Sequence, residues 1–364
     1  MIQVTQPTLP SLKKFNLYLK KIWQSKQITN NGFFHQKFEK NLCDYLNIDN
    51  CSLVANGTLA LILGIKCLNL KGEVITSPYS FVATTHAIYW NGLKPVFCDI
   101  EEKTCNIDPD KIESLITPRT SAILPIHVYG NPCDVKKIEK ISKEYDLKVI
   151  YDAAHSFNIK INDESILNFG DLSILSFHAT KVFNTIEGGA TFTKDKKIKE
   201  RIDTLVNFGF IDNKNDAIAG LNAKMNELQA AYGILELEIV ENEIKKRKVI
   251  ANIYRKNLEH IKGIKIINEI KGVTYNYSYF PIFIDKEHYG KSRDEVYELL
   301  LKNNIYTRKY FYPLISNFSV YKELISASPR NLPVAEKISN QVLCLPIYGN
   351  LKEHEYKKII NLLR

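Results

Sequence analysis

Four short segments hold side chains suited to chemistry. In SFHATKVFNTIEGGATFT, residues 176–193, Lys181 follows a strand-like run, with Ser176 before it and the pair Gly188–Gly189 after it. A lysine amine loses its proton readily when buried or set near another cation, and the freed lone pair can then form a Schiff base. Lys181 alone is a weak signal, because the chain holds many lysines. In IYDAAHSF, residues 150–157, Asp152 closes an apolar run. An acid there is costly unless it is paired or faces a ligand. It reads as a helix N-cap or surface ion pair, or as a carboxylate that keeps a pyridine nitrogen protonated. His155, three residues on, reads as a structural residue or as a contact to a phenolic oxygen on the same ring.

In ANGTLAL, residues 55–61, Gly57 and Thr58 lie between a strand candidate and a helix candidate. Backbone N–H groups at a helix N-terminus, with the helix dipole behind them, suit a phosphate; an ordinary N-cap at Thr58 accounts for the same residues. In SPYSFVAT, residues 77–84, Phe81 is either a core aromatic or a platform for a flat ring. A phosphate, a protonated pyridine and a Schiff-base lysine together describe pyridoxal phosphate, whose charged ring acts as an electron sink.

The elements that must position these residues alternate. Apolar runs occur at 52–55, 74–76, 95–100, 122–127, 149–153, 172–177 and 190–193. Several are apolar on consecutive positions, as expected of strands buried on both faces of a mainly parallel sheet. Helical patterns at 58–68 and 135–145 lie between them, so the alternation reads as α/β with right-handed crossovers. The 58–68 pattern is apolar on both sides, which predicts a buried helix. The character changes near residue 226. Leu228, Tyr232, Leu235 and Ile239 share one face, and the spacing predicts a single long helix over 226–250. Strand candidates at 263–267 and 278–284 and helices at 292–303 and 354–363 follow, as a smaller α+β unit. The expected division is a large α/β domain over residues 1–240 and a small C-terminal one over 241–364, near the prior of about two domains for this length.

Composition limits the function classes. With 45% hydrophobic and 24% charged residues, the chain is neither a collagen, a low-complexity disordered segment nor a coiled-coil rod. Its net charge of +9 is spread along the chain, which suits an anionic small substrate and argues against nucleic acid as partner. Seven cysteines without a C-x-x-C pair argue against a disulfide framework and a zinc site, and no metal is expected. No run approaches the ~18 apolar residues of a membrane span, and the N-terminus lacks the apolar core of a signal peptide. The expectation is a soluble, cytoplasmic protein.

Taken in order, phosphate turn, aromatic, Asp-x-x-His, then Ser, Lys and the glycine pair resemble the DegT-type sugar aminotransferases. These are pyridoxal-phosphate enzymes of the aspartate-aminotransferase fold, fold type I. The resemblance spans nearly the whole chain and is carried also by TNNGFFHQKFE, PVFCDIEEKTCNIDP, LPIHVYGNPCD, GLNAKMNELQAA and LPIYGN. It implies that Lys181 bonds the cofactor, Asp152 pairs with the pyridine nitrogen, and His155 sits near the phenolic oxygen, where many relatives have Gln. It implies that Phe81 stacks on the ring. Gly57, Thr58 and Ser176 then hold the phosphate, with Asn222 reaching in from the other subunit of a homodimer with a shared active site. Lys224 stands where many relatives have Arg.

A branch of the family replaces the lysine by His and becomes a dehydratase; the presence of Lys181 favours amino transfer from L-glutamate to a nucleotide-linked keto-sugar. The text TNNGFFHQ, HATKVFNTIEGG, NFGFID and RKYFYPL is most similar to members that make dTDP-4-amino-4,6-dideoxyglucose from dTDP-4-keto-6-deoxyglucose, a role in O-antigen and lipopolysaccharide biosynthesis. Relatives acting at carbon 3 usually carry Gly before the lysine and Asn-Leu-Gly after it. Alternatives are 3-keto-sugar or GDP-perosamine-type amination, or a non-enzymatic sensor of the same fold. Arg308, Tyr310 and Tyr312 are expected near the sugar nucleotide, or else as a surface charge beside packed aromatics.

Overall fold

Seven short strands form one sheet in a computed structural model that describes residues 1–211 and 217–364. They are β1 (Asn50–Val54), β2 (Glu73–Thr76), β3 (Lys94–Phe97), β4 (Thr120–Leu124), β5 (Lys148–Asp152), β6 (Leu172–Ser176) and β7 (Gly189–Thr193). In these labels the spatial order is β1-β7-β6-β5-β4-β2-β3. The contacts of β2 with β3 and β4, of β4 with β5, and of β5 with β6 are parallel. Only β7 runs against its neighbours β6 and β1. The fold is therefore α/β with a mainly parallel sheet, as the consecutive apolar runs predict. Strands β2 and β7 are buried along their whole length, which is the condition that makes alternation disappear from such strands.

Helices flank the sheet and lead from it into the C-terminal part. They are α1 (Leu12–Ser25), α2 (Phe33–Leu46), α3 (Gly57–Cys67), α4 (Ala83–Trp90), α5 (Val135–Glu144), α6 (Lys196–Val206), α7 (Glu227–Leu237) and α8 (Val240–Leu258). α3 is buried on both sides: Ala60, Leu61, Leu63 and Ile65 are all inside. The single helix expected over 226–250 is instead two, α7 and α8. Between them Glu238 and Ile239 donate their N–H groups to Leu235 and Glu236, so the turn tightens to i→i−3 bonding. α7 lies wholly in one core, whereas α8 starts there with Val240 and Ile244 and passes into a second core from Ile250 on. Ala230 and Ile234 of α7 pack with Phe38 and Phe177, whereas Tyr254 and Leu258 of α8 pack with Phe280 and Leu343. A 3.6-residue period cannot report such a redirection, because the apolar spacing carries through the break.

The C-terminal part builds a three-stranded antiparallel sheet from β8 (Ile264–Ile266), β9 (Phe280–Ile284) and β10 (Val342–Leu345). Arg293–Lys302 and Glu353–Leu363 form helices there, within a residue of the expected spans. Among the described residues no helix is long and apolar enough to cross a membrane. Asp212, the last residue of the NFGFID segment, lies outside the described residues.

Candidate active site

The ends of β5 and β6, and the start of α3 just after β1, open into one cavity of about 260 Å³. In parallel sheets ligands bind outside the carboxyl ends of the strands. α3 begins at Gly57, and its N-cap is Asn56, whose side chain accepts the Leu59 N–H at 2.9 Å. Thr58 therefore lies in the first turn and is not the cap. A Cβ added to Gly57 would lie 2.8 Å from Ser176 Cβ, and one added to Gly189 would lie 2.7 Å from the carbonyl carbon of Asn56. Both glycines are thus required by close approach, which presses the helix start against the ends of β6 and β7. The result is a cup of N–H groups beside the Ser176 hydroxyl, a form suited to an anion.

Asp152 ends β5 and is buried. Thr84 Oγ1 donates to its Oδ2 at 2.7 Å, and the Ala154 N–H donates to Oδ1 at 3.1 Å. Burial pushes its carboxyl above the ordinary range, while these two bonds and the charge of Lys181 pull it back. The readings as a surface ion pair and as a helix cap are both excluded: no cation pairs with it among the described residues, and it caps none of the helices. Ser80 Oγ lies 2.9 Å from Thr84 Oγ1 and continues the chain of hydroxyls.

Lys181 reaches the same cavity, where Nζ donates to Tyr279 Oη at 3.3 Å. Part of the side chain faces the open cavity, yet protein surrounds the amine on the scale over which charge is solvated. Burial lowers it from 10.5 to about 8, against the opposing pull of Asp152 and Tyr310. His155 is buried, and the Tyr129 N–H donates to its Nδ1 at 3.2 Å. The proton of the neutral ring therefore sits on Nε2. Burial, with Lys181 nearby, holds this imidazole well below its ordinary range, so it stays neutral. Its ring stacks on Phe311 at 5.9 Å.

Of the residues singled out from sequence, Gly57, Thr58, Phe81, Asp152, His155, Ser176, Lys181 and Tyr310 line this one cavity. Phe81 is 60% exposed, which excludes the core-aromatic reading. Arg308, Tyr312 and Asn222 do not line it. Arg308 is exposed and pairs its backbone with Cys344. The Tyr312 ring lies 4.5 Å from the Arg293 guanidinium, so it packs on a cation outside the cavity. Asn222 is exposed and bridges Asn207 through the backbone. Lys224 donates to Asn207 Oδ1 at 2.9 Å and lies over the Phe208 ring. Thr84, Tyr279 and Phe311 line the cavity and were missed from sequence. Thr84 lies inside the segment SPYSFVAT and Phe311 inside RKYFYPL, between Tyr310 and Tyr312; Tyr279 had no local signal.

Residues 11–364 match the DegT/DnrJ/EryC1/StrS aminotransferase family. The chain is 51% identical over 363 residues to a dTDP-4-amino-4,6-dideoxy-D-glucose transaminase of Escherichia coli, covering 100% of this chain and 98% of that protein. Its fold superposes on a crystal structure of DesI in the presence of its TDP-sugar product with a TM-score of 0.95, at 32% identity, covering 100% and 92% of the two chains. NtdA from Bacillus subtilis, solved with bound cofactor PMP, is similar with a TM-score of 0.88 at 28% identity, covering 97% and 81%.

Proposed function

The chain belongs to the DegT/DnrJ/EryC1/StrS aminotransferase family, and from that membership we propose that it transfers the amino group of L-glutamate to dTDP-4-keto-6-deoxy-D-glucose, giving dTDP-4-amino-4,6-dideoxy-D-glucose. Pyridoxal 5'-phosphate is the proposed cofactor. The observation that carries the reading is a lysine with a lowered pKa and a buried carboxylate lining one cavity that also holds an anion cup.

The cavity suits that cofactor on three counts. The cup at Gly57, Thr58 and Ser176 offers N–H and hydroxyl donors to a phosphate. Asp152 is held by a hydroxyl and a backbone N–H, and a pyridinium would supply the cation it lacks. Phe81 presents an exposed aromatic face to the cavity. When bound, the cofactor supplies an electron-accepting ring beside the carbon that gains or loses a proton.

The protein's own groups have distinct tasks in this reading. With its amine lowered to about 8, Lys181 Nζ is about one-tenth free base at pH 7, hundreds of times the share of an ordinary lysine. It takes a proton from the α-carbon of glutamate and, in the second half of the reaction, delivers one to carbon 4 of the sugar. Asp152 holds a negative charge in place, with Thr84 as its donor. His155 offers Nε2–H to the phenolic oxygen and does not titrate while doing so. Tyr310 lines the side where the sugar would enter. Asn222, outside the cavity of its own subunit, is assigned to the partner's phosphate site in a homodimer. The division into residues 1–240 and 241–364 belongs to the same reading; the change of core along α8 lies a little further on, between Ile244 and Ile250. A cytoplasmic place in surface-polysaccharide synthesis, as in O-antigen and lipopolysaccharide, follows from the substrate class.

The test is product identification. Incubation with 15N-glutamate and dTDP-4-keto-6-deoxyglucose should give a sugar whose NMR spectrum shows labelled nitrogen on carbon 4, and borohydride should fix the cofactor to the peptide holding Lys181. Amination at carbon 3, a deoxygenated product without label, or turnover confined to the GDP-linked ketone would each overturn the assignment.

A further inference from the structure

The loop that carries Lys181 also carries a donor and an acceptor that the proposed reaction leaves without a task. Its two legs are joined by the Phe177 N–H to Gly188 and the Ala179 N–H to Ile186, each 2.8 Å. This places His178 and Glu187 side by side, and both line the cavity. Their side chains are 47% and 56% exposed, so they stand at the mouth, with Lys181 deeper inside.

The His178 ring is fixed. The Thr180 N–H donates to Nδ1 at 3.2 Å, and Thr180 Oγ1 lies 2.8 Å from the same atom. Nδ1 is therefore an acceptor, and the neutral ring carries its proton on Nε2. That atom lies 3.7 Å from Glu187 Oε1. The separation is too long for a hydrogen bond, so the donor and the carboxylate both keep their capacity. Glu187 is anchored through its carbonyl, which accepts from Thr185 Oγ1 and from Gln229 Nε2, each at 2.7 Å. The carboxylate itself is left to face the mouth. Ile186, beside it, holds a φ of +69, an uncommon conformation for a β-branched residue and one that clusters at functional sites.

A fixed donor a few ångströms from a carboxylate whose backbone is anchored beside it matches a group that accepts and donates at once. A hydroxyl does this, and two neighbouring hydroxyls do it better. A phosphate does not, because Glu187 would repel it. The group whose carbonyl carbon reaches Lys181 must leave its adjoining ring carbons toward the mouth.

We infer that His178 and Glu187 grip the hydroxyl or hydroxyls of the sugar ring next to its keto carbon, and so select a neutral hydroxylated ring at the mouth. The inference rests on the proposed nucleotide-sugar reaction. It also assigns a cost to the other substrate: glutamate carries two carboxylates past the same mouth, and Glu187 repels them.

Steady-state kinetics with each substrate varied in turn tests it, using Glu187→Gln and His178→Ala. Both side chains are about half exposed, so neither change removes core packing. Loss of a hydrogen bond to a charged group corresponds to about tenfold to a hundredfold in binding. The keto-sugar KM should rise by about tenfold or more in Glu187→Gln and by about threefold to tenfold in His178→Ala, whose ring donor is neutral, while the glutamate KM falls in Glu187→Gln. A keto-sugar analogue lacking the hydroxyl next to the ketone should bind the unaltered protein and both variants alike. A keto-sugar KM within twofold of the unaltered protein, or both KM values rising together, overturns the inference and leaves the reaction standing. No amino-sugar from the unaltered protein overturns the reaction, and the grip with it.

Discussion

Replacing Thr84 by Val keeps the shape of a side chain that is 1% exposed and removes its hydroxyl. That hydroxyl lies 2.7 Å from Asp152 Oδ2. A hydrogen bond to a charged group contributes about 1.5–3 kcal/mol. The neutral acid keeps about 1 kcal/mol of that bond, and only the difference between the two protonation states moves a pKa, so the loss of Thr84 should lift the Asp152 carboxyl further above its ordinary range. Burial already pushes this group upward, and Thr84 is the first of the forces that oppose it. A carboxyl whose folded pKa lies above its unfolded value destabilises the fold once pH exceeds the unfolded value, because the folded state resists ionisation. The substitution deepens that effect. The cofactor-free variant should therefore be less stable than the parent by about 2 kcal/mol at pH 7. As pH falls and Asp152 protonates in both proteins, the gap should shrink to the ~1 kcal/mol of a neutral hydrogen bond. Urea unfolding at several pH values measures this, and the acidic limb of the kcat profile should move to higher pH. Thr84→Ser should restore both. A stability difference independent of pH, together with an unmoved acidic limb, would refute the argument.

Two other substitutions test the cavity. Burial holds the Lys181 amine at about 8 rather than 10.5, so the folded state is destabilised by its charge below about pH 8, and the effect fades as pH approaches 10.5. The full shift corresponds to about 3 kcal/mol, reduced to about 2 kcal/mol by water in the cavity mouth. Lys181→Met should make the cofactor-free protein more stable by that amount at pH 7 and by nothing at pH 10.5; a less stable variant at pH 7 would show the amine to be well solvated. Gly57→Ala places a Cβ 2.8 Å from Ser176 Cβ. Overpacking of this kind costs about 1–3 kcal/mol, here in the anion cup, so equilibrium dialysis should show pyridoxal phosphate binding weakened about tenfold or more, and unchanged affinity would sink the phosphate assignment.

Much of the fold was legible because its strands are short and buried on both faces, so consecutive apolar residues such as Val149, Ile150 and Tyr151 announce them. α2 left a signal that went unread. Its buried Phe34, Phe38, Leu42 and Leu46 recur every four residues, masked by the polar residues between them. The turn between α7 and α8 left none. At the site, Lys181, Asp152 and the glycine turn were legible because each sits where a strand ends, in a local pattern of its own. Thr84 meets Asp152 across 68 residues, and Tyr279 meets Lys181 across 98. Contacts of that separation are made by topology, and no local spacing encodes them. In the segment RKYFYPL, Tyr310 and Phe311 line the cavity while Arg308 and Tyr312 on either side do not, a distribution set by the turn's backbone and not by residue type.

Asp152 and Lys181 explain why such a cavity is specific. Two opposite charges in one enclosure would ordinarily neutralise each other. Here they form no ion pair, and the pull of Lys181 on Asp152 comes after burial, the Thr84 hydroxyl and the Ala154 N–H. Each group is therefore displaced toward its neutral form by burial, upward for the acid and downward for the amine. The opposite displacements place a weakened acid and a reactive base on one wall. A guest that brings a cation to Asp152 draws that carboxyl back to the ionised form. A guest that brings only a carbonyl to Lys181 does not. The cavity thus discriminates by where charge is delivered, and a flat ring with a basic nitrogen at one edge and a phosphate at another meets all three of its demands at once.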